Sequence, residues 1–239
     1  MSIFTDNKKY RYELKFLLND NYAKILQYRM SLIMEPEEES HTIDGKYYVR
    51  SLYFDDIYNT AYYEKMDGLC FRKKYRIRFY NLNPSYIVLE LKGKDNNLTY
   101  KKSDQITLNE YNLLINGEYD KIKIEDRKIL HEFLMLCKHK ALKPSIIVDY
   151  ERIVYKYPIE DVRVTFDSLI ASGRYDYDLF NKDMILFDVL DRNQVVMEVK
   201  FNNYIPKIIN DIIKTVPSSR ISMSKFTICK EKKGDIRWI

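Results

Sequence analysis

Lys73-Lys74-Tyr75-Arg76-Ile77-Arg78-Phe79-Tyr80 decides how this chain is read, together with the run that answers it, Tyr86-Ile87-Val88-Leu89-Glu90-Leu91-Lys92. In both, charged and apolar residues alternate with period two, which predicts paired β-strands with one charged and one apolar face. The charged face is almost wholly basic. Lys74, Arg76 and Arg78 share one side of the first strand, and Glu90 and Lys92 one side of the second. Asn81-Leu82-Asn83-Pro84-Ser85 supplies the turn between them.

The same alternation recurs along the chain. Tyr10 to Phe16 sets Arg11, Glu13 and Lys15 against Tyr10, Tyr12, Leu14 and Phe16. Tyr47–Asp55, Leu98–Ile106, Ser145–Arg152, Asp161–Asp167, Met184–Leu190 and Gln194–Phe201 read as further strands. Within them Arg163 shares a face with Thr165, and Glu198 with Lys200. Helices are expected from about Tyr22 to Met34 after Asn19-Asp20, over Leu108–Ile115, over Glu125–Lys140 and over Ile208–Val216 behind Pro206. Asn59–Met66 reads as a short helical or irregular connection, Glu35-Pro36-Glu37-Glu38-Glu39 as a solvated loop, and Ser222–Phe226 as the lead into a last short helix or extended tail. Strands in clusters, with short connections and no βαβ rhythm, point to an antiparallel α+β fold with enough strands to close a barrel.

A sheet face open to water usually mixes both charge signs, whereas these faces gather cations that repel one another unless something anionic sits among them. The amphipathic helices can cover the apolar faces from outside. The charged faces then turn inward and line a tunnel with Lys and Arg, suited to phosphate chains.

Composition narrows the alternatives. Hydrophobic residues make up 46% of the 239, with six Gly and six Pro, which suits one compact domain without long linkers. The 40 basic and 35 acidic residues leave a net charge of only +5, so the distribution of charge matters more than its total. Cys70, Cys137 and Cys229 form no CxxC pair, and His41, His131 and His139 are scattered, which argues against a disulfide framework, a zinc site or a catalytic triad. P-loop, Rossmann, zincin and serine-hydrolase motifs are absent. Most of the 22 tyrosines are read as strand-face core residues, not as a base-stacking platform, so nucleic acid is not an expected partner. Met1 to Asp6 shows no signal-peptide pattern and no apolar run approaches ~20 residues, so a cytoplasmic location is expected.

These runs, taken in order, resemble the VTC (vacuolar transporter chaperone) domain family of polyphosphate polymerases, a branch of the triphosphate tunnel metalloenzymes. The markers are Arg11-Tyr12-Glu13-Leu14-Lys15, Ser51 to Asp55, Tyr75 to Tyr80, Leu89 to Lys92, Tyr150 to Arg152, Arg163 to Asp167, Met197 to Phe201 and Ser224-Lys225-Phe226, spanning about Tyr10 to Lys230. The resemblance implies an eight-stranded antiparallel β-tunnel with helices packed outside. It implies that Lys15, Lys65, Arg76, Arg78, Lys92, Lys102, Arg152, Arg163, Lys200 and Lys225 hold phosphates, with Lys101 competing for the role of Lys102. Catalysis falls to Lys15, Arg76, Arg78, Lys92 and Glu198. Glu198 is the metal carboxylate, for Mn²⁺ or Mg²⁺, against a plainer role as a tunnel-wall salt bridge; Glu90 is expected to be a structural partner. One departure stands out: hydrolytic tunnel enzymes carry ExExK on the first strand, and Arg11 replaces its first glutamate here.

The activity so implied is transfer of the terminal phosphoryl group of a nucleoside triphosphate, with ATP expected, to a polyphosphate chain. The alternatives are a tripolyphosphatase or nucleoside triphosphatase on the same tunnel, and a non-catalytic polyphosphate or inositol-phosphate binding module. Coupling to transport would need a membrane partner chain.

Overall fold

Strands that alternate charged and apolar residues need two different surroundings, and the chain supplies them by curling one antiparallel sheet on itself. The computed structural model describes residues 9–37, 45–173 and 176–233. His41, Glu38, Glu39 and the segment Met1 to Asp6 lie outside the described residues. The strands are β1 (Tyr12–Asn19), β2 (Glu35–Pro36), β3 (Lys46–Asp55), β4 (Phe71–Tyr80), β5 (Asn83–Asp95), β6 (Leu98–Ile106), β7 (Lys143–Tyr157), β8 (Val162–Gly173), β9 (Phe187–Asp188), β10 (Gln194–Phe201) and β11 (Ser219–Arg220). The helices are α1 (Asp20–Ser31), α2 (Thr60–Met66), α3 (Leu108–Ile115), α4 (Lys128–Lys140), α5 (Lys207–Ile213) and α6 (Lys225–Lys233).

Eight long strands run in the spatial order β1-β10-β8-β7-β3-β4-β5-β6, and every pairing is antiparallel. The two ends of this path meet. Arg11 N–H donates to Thr99 O at 2.9 Å and Thr99 N–H to Arg11 O at 2.8 Å, so the sheet curls into a barrel-like tunnel.

The outward faces carry the apolar half of each alternation. Ile77, Phe79, Leu89 and Leu91 of β4 and β5 pack with Tyr111 and Leu114 of α3 and with Leu130, Phe133 and Leu134 of α4. On the other side Val164, Phe166, Met197 and Val199 of β8 and β10 meet Leu26 and Met30 of α1 and Ile209 and Ile213 of α5. Truncating a fully buried ring such as Phe133 to alanine would cost about 3–5 kcal/mol. Helix α6 departs from this arrangement and packs on the inner face. Its Phe226 and Cys229 join Tyr53, Val148, Tyr150 and Val196, whose strand neighbours face outward, and it fills one side of the interior with apolar contacts.

Several boundaries differ from the sequence expectation for identifiable reasons. The β4–β5 turn is a tight one at Asn81 and Leu82, both left-handed with φ of 49° and 53°, so β5 begins at Asn83 rather than Tyr86. Helix α4 begins at Lys128 because Glu125 is itself left-handed (φ 48°), and Asp104 of β6 caps the helix by accepting from the N–H groups of Ile129 and Leu130 at 2.9 Å each. Of the strand expected over Met184–Leu190 only Phe187–Asp188 pairs. Leu179 and Met184 instead anchor a connection over the outer apolar face, and Arg50 holds it through the carbonyls of Leu179 and Asn181 at 3.3 and 2.5 Å. The acidic loop is also not wholly solvated: Glu35 and Pro36 pair with β7, and Glu37 is 5% exposed and ion-paired to Lys156 and Arg163.

One close approach fixes how β5 lies on β6. Gly93 stands opposite Tyr100, and a Cβ at Gly93 would fall 2.0 Å from that ring's Cζ. No helix of the described residues is long and apolar enough to cross a membrane.

Candidate functional site

The inward faces bring the polar half of the alternation to one place. On β4 these are Arg72, Lys74, Arg76 and Arg78; on β5, opposite them, register places Lys94 by Arg72, Lys92 by Lys74 and Glu90 by Arg76. Across the seam β1 offers Glu13 and Lys15, and β10 sets Lys200 opposite Glu13 and Glu198 opposite Lys15. With Lys65 of α2, Tyr53 of β3, Tyr150 and Arg152 of β7, and the stretch from Arg220 to Lys225, they line a cavity of about 660 Å³. Twelve Lys and Arg side chains and two carboxylates line it.

The deeper part is tightly paired. Glu90 accepts from Arg76 at 2.6 Å and Lys101 at 3.0 Å, and Arg76 also donates to the Tyr53 hydroxyl at 2.7 Å. Arg78 donates to Ser51 Oγ at 3.0 Å and to the Tyr150 hydroxyl at 2.8 Å. Arg152 grips Asp167 through two bonds of 2.6 and 2.7 Å, the planar fork on a planar carboxylate. Lys225, at the start of α6, bridges Asp167 at 2.5 Å and Glu198 at 2.9 Å. Glu198 further faces Lys15 at 3.5 Å and Lys200 at 3.4 Å, and Glu13 faces Lys92 at 2.9 Å and Lys15 at 3.2 Å. Burial opposes ionisation of Glu198, but Lys225, Lys15 and Lys200 outweigh it and hold the carboxyl well below its ordinary value. Glu13 is driven down against burial in the same way by Lys92 and Lys15.

Nearer the mouth the balance changes. Lys65, Arg72, Lys74, Lys94 and Arg220 line the cavity, and among the described residues none of them makes an ion pair within 4.0 Å of a carboxylate. Lys65 and Lys74 donate instead to the hydroxyls of Ser222 and Ser224, at 3.1 and 3.2 Å. Burial, and then the charges of Lys15, Lys92, Arg72 and Lys65, push Lys74 down to about 6. Lys65 and Lys94 are lowered by burial and then by Arg72. Lys200, lowered by burial and only partly restored by Glu198 and Glu13, falls to about 7.

Lys15, Lys65, Arg76, Arg78, Lys92, Arg152, Glu198, Lys200 and Lys225, all read from sequence, therefore share this one cavity. Lys102 does not. Because Lys92 stands opposite Lys101 and Leu91 opposite Lys102, it is Lys101 that turns inward, and Lys102 lies on the outer face near Glu132 of α4. Arg163 is on the inner face but away from the cavity, bound by Glu37 and the Tyr47 hydroxyl. Arg72, Lys74, Lys94 and Arg220 line the cavity beyond the ligands expected from sequence; of these Lys74 sits two residues from Arg76 on the same strand face, and period two alone places it there.

Among the described residues no group of three or more His, Cys, Asp or Glu side chains is placed to hold a metal ion. Glu13 and Glu198 nevertheless converge on the same Lys15 ammonium, at 3.2 and 3.5 Å. Two hard oxygen donors in one spot fit the mode of Mg²⁺ binding in which one or two carboxylates are completed by phosphate oxygens and water.

A family model described as the VTC domain matches residues 10–232. Among solved structures, a Hippeastrum protein described as an adenylyl cyclase with a dominant triphosphatase activity superposes with a TM-score of 0.51 at 13% identity, covering 93% of this chain and 95% of that one. A Bacillus halodurans protein described as an adenylate cyclase gives a TM-score of 0.50 at 14% identity over 87% of each chain. At such identities the likeness is one of fold. No curated protein matches the chain.

Proposed function

The chain belongs to the VTC domain family, and on that premise we propose that it is a polyphosphate polymerase that passes the terminal phosphoryl group of a nucleoside triphosphate, ATP foremost, to an inorganic polyphosphate chain. The observation that carries this is the pairing inside the cavity. Glu13, Glu90, Asp167 and Glu198 are each held by Lys or Arg. Carboxylates stabilised in this way are weak bases, poorly placed to take a proton from water. A polyphosphate end needs no such help: it arrives as an anion. Its terminal oxygen forms the new P–O bond as the bond between the γ-phosphorus and the β-bridging oxygen breaks, and the nucleoside diphosphate leaves with those electrons.

The protein then has to align two anions and neutralise them. Arg76, Arg78, Lys15, Lys92, Arg152 and Lys225 serve as the clamp, Lys200 and Lys65 as further contacts, and Lys101 takes the place expected for Lys102. A divalent ion, Mn²⁺ or Mg²⁺, held by Glu198 with Glu13 and phosphate oxygens, would neutralise charge on the transferring group.

A second reading, hydrolysis of tripolyphosphate or of a nucleoside triphosphate, draws support from the triphosphatase activity described for the Hippeastrum protein. Incubation with ATP or tripolyphosphate and Mn²⁺, followed by gel separation, distinguishes the two. Long chains support the polymerase; orthophosphate alone supports the hydrolase; binding without either product leaves a polyphosphate or inositol-phosphate binding module.

A further inference from the structure

The mouth of the cavity holds a concentration of cations for which the pairing described above offers no counterpart. Lys74 is at its centre. It lies on β4 between Arg72 and Arg76, stands opposite Lys92 on β5, and directs its Nζ to Ser224 Oγ at 3.2 Å, 4.7 Å from the centroid of the Phe226 ring. The largest charges that act on it come from four elements and are positive, Lys15 of β1, Lys92 of β5, Arg72 of its own strand and Lys65 of α2; of these Lys15 and Lys92 are themselves paired with Glu13, and Lys15 also with Glu198. A hydroxyl oxygen can accept from an ammonium or donate to a neutral amine, so the Ser224 contact suits either form of Lys74.

An ammonium enclosed by other cations and without a carboxylate of its own gains only the face of the Phe226 ring, and an arriving anion favours it far more. We propose that Lys74 is the proton-linked member of a phosphate subsite at the tunnel mouth, binding a phosphate of the chain or of the triphosphate with uptake of one proton from solvent. The proposal rests on the reading of the cavity as a phosphate tunnel and adds to it which residue changes charge. The balance is simple: the neutral amine takes a proton from buffer as the phosphate enters, the ammonium donates to a phosphate oxygen, and the proton returns to buffer when the phosphate leaves. Burial and the surrounding cations lower Lys74 to about 6, so the empty mouth is without this charge at neutral pH and regains it with its ligand.

The test is calorimetric titration of the full chain with tripolyphosphate at pH 8, without nucleotide or metal, in two buffers of different ionisation heat. The difference between buffers gives the protons taken up, and comparison between variants removes the contribution of the ligand's own titration. Lys74→Arg stays charged at every pH used. It should bind tripolyphosphate and take up about one proton fewer than the wild type. Lys74→Met should also lose that proton and bind roughly 10- to 100-fold more weakly, the scale of one hydrogen bond to a charged group. Unchanged proton uptake in Lys74→Arg overturns the proposal, as does loss of binding in Lys74→Arg when the wild type binds, since arginine keeps the charge the subsite requires. A wild type that fails to bind tripolyphosphate overturns the phosphate-tunnel reading itself.

Discussion

Arg76 and Lys74 are two residues apart on one strand and face the same cavity, yet they are stabilised by opposite means. Arg76 stands opposite Glu90 and meets it at 2.6 Å; Lys74 stands opposite Lys92 and meets a serine hydroxyl and a ring, with no carboxylate within 4.0 Å among the described residues. The deep layer carries its own anions, so its geometry is set before any ligand arrives, and preorganised charge is what phosphoryl transfer requires. Among the described residues the mouth has no such paired carboxylate. On the proposed function, alignment falls to the interior and capture to the mouth.

The sharpest way to break this division is to remove the deep fork. Arg76→Ala/Arg78→Ala should lower tripolyphosphate affinity by about 100-fold or more, since two charge-assisted contacts go at once and Glu90 is left with Lys101 alone. Full retention of binding by calorimetry would mean that the interior does not align the ligand. Glu198→Gln is next. On the proposed function chain synthesis should fall on the order of 100-fold while tripolyphosphate binding persists, because the substitution removes the carboxylate proposed to hold the metal but no cation; a gel assay beside a binding assay reads both, and equal loss in the two would make Glu198 a wall salt bridge.

A smaller effect separates the layers by pH. Lys74 and Lys200 shed their protons in the folded protein above about 6 and 7, whereas an unfolded lysine holds its proton to about 10.4. The unfolded state therefore binds more protons between those values, and these two groups make stability rise with pH from about 6 upward. The paired acids act lower: Glu13, Asp167 and Glu198 titrate below their unfolded values, so their contribution is present above about pH 4.5 and is lost as pH falls. Thermal melts of the ligand-free chain from pH 6 to 9 should climb. Lys74→Met should raise the pH 6 melt, by on the order of 1 kcal/mol, and flatten the climb. The smallest effect belongs to Lys102→Ala, which should leave tripolyphosphate binding unchanged and alter stability by less than about 0.5 kcal/mol, whereas Lys101→Ala loosens Glu90.

Faces were legible in the sequence and partners were not. Period two marked Lys74, Arg76 and Arg78 as sharing a side, and the supply of amphipathic helices indicated that this side turned inward. Which cation would meet which carboxylate depends on register, and register depends on turns and close contacts that alternation does not encode. The choice between Lys101 and Lys102 was therefore open in the sequence, and it is the β5–β6 pairing that decides it. Arg163 shows the same limit: its face was read correctly, but its distance along the barrel, and the return of Glu37 to cover it, come from tertiary packing. Met184–Leu190 resembles a strand in composition, but its apolar residues serve separate surroundings: Met184 and Leu186 pack onto the outer core from a connection held by Arg50, Val189 and Leu190 join the cluster around Phe226, and Ile185 is exposed.

Gly93 gives the register a mechanical origin. The Tyr100 ring occupies the space where a side chain at position 93 would begin, so β5 and β6 mesh like gear teeth at one missing methyl group. A side chain at position 93 would have to push the buried Tyr100 ring aside, so Gly93→Ala would disturb the outer packing of β5 on β6 directly behind the faces that present Lys92 and Lys101.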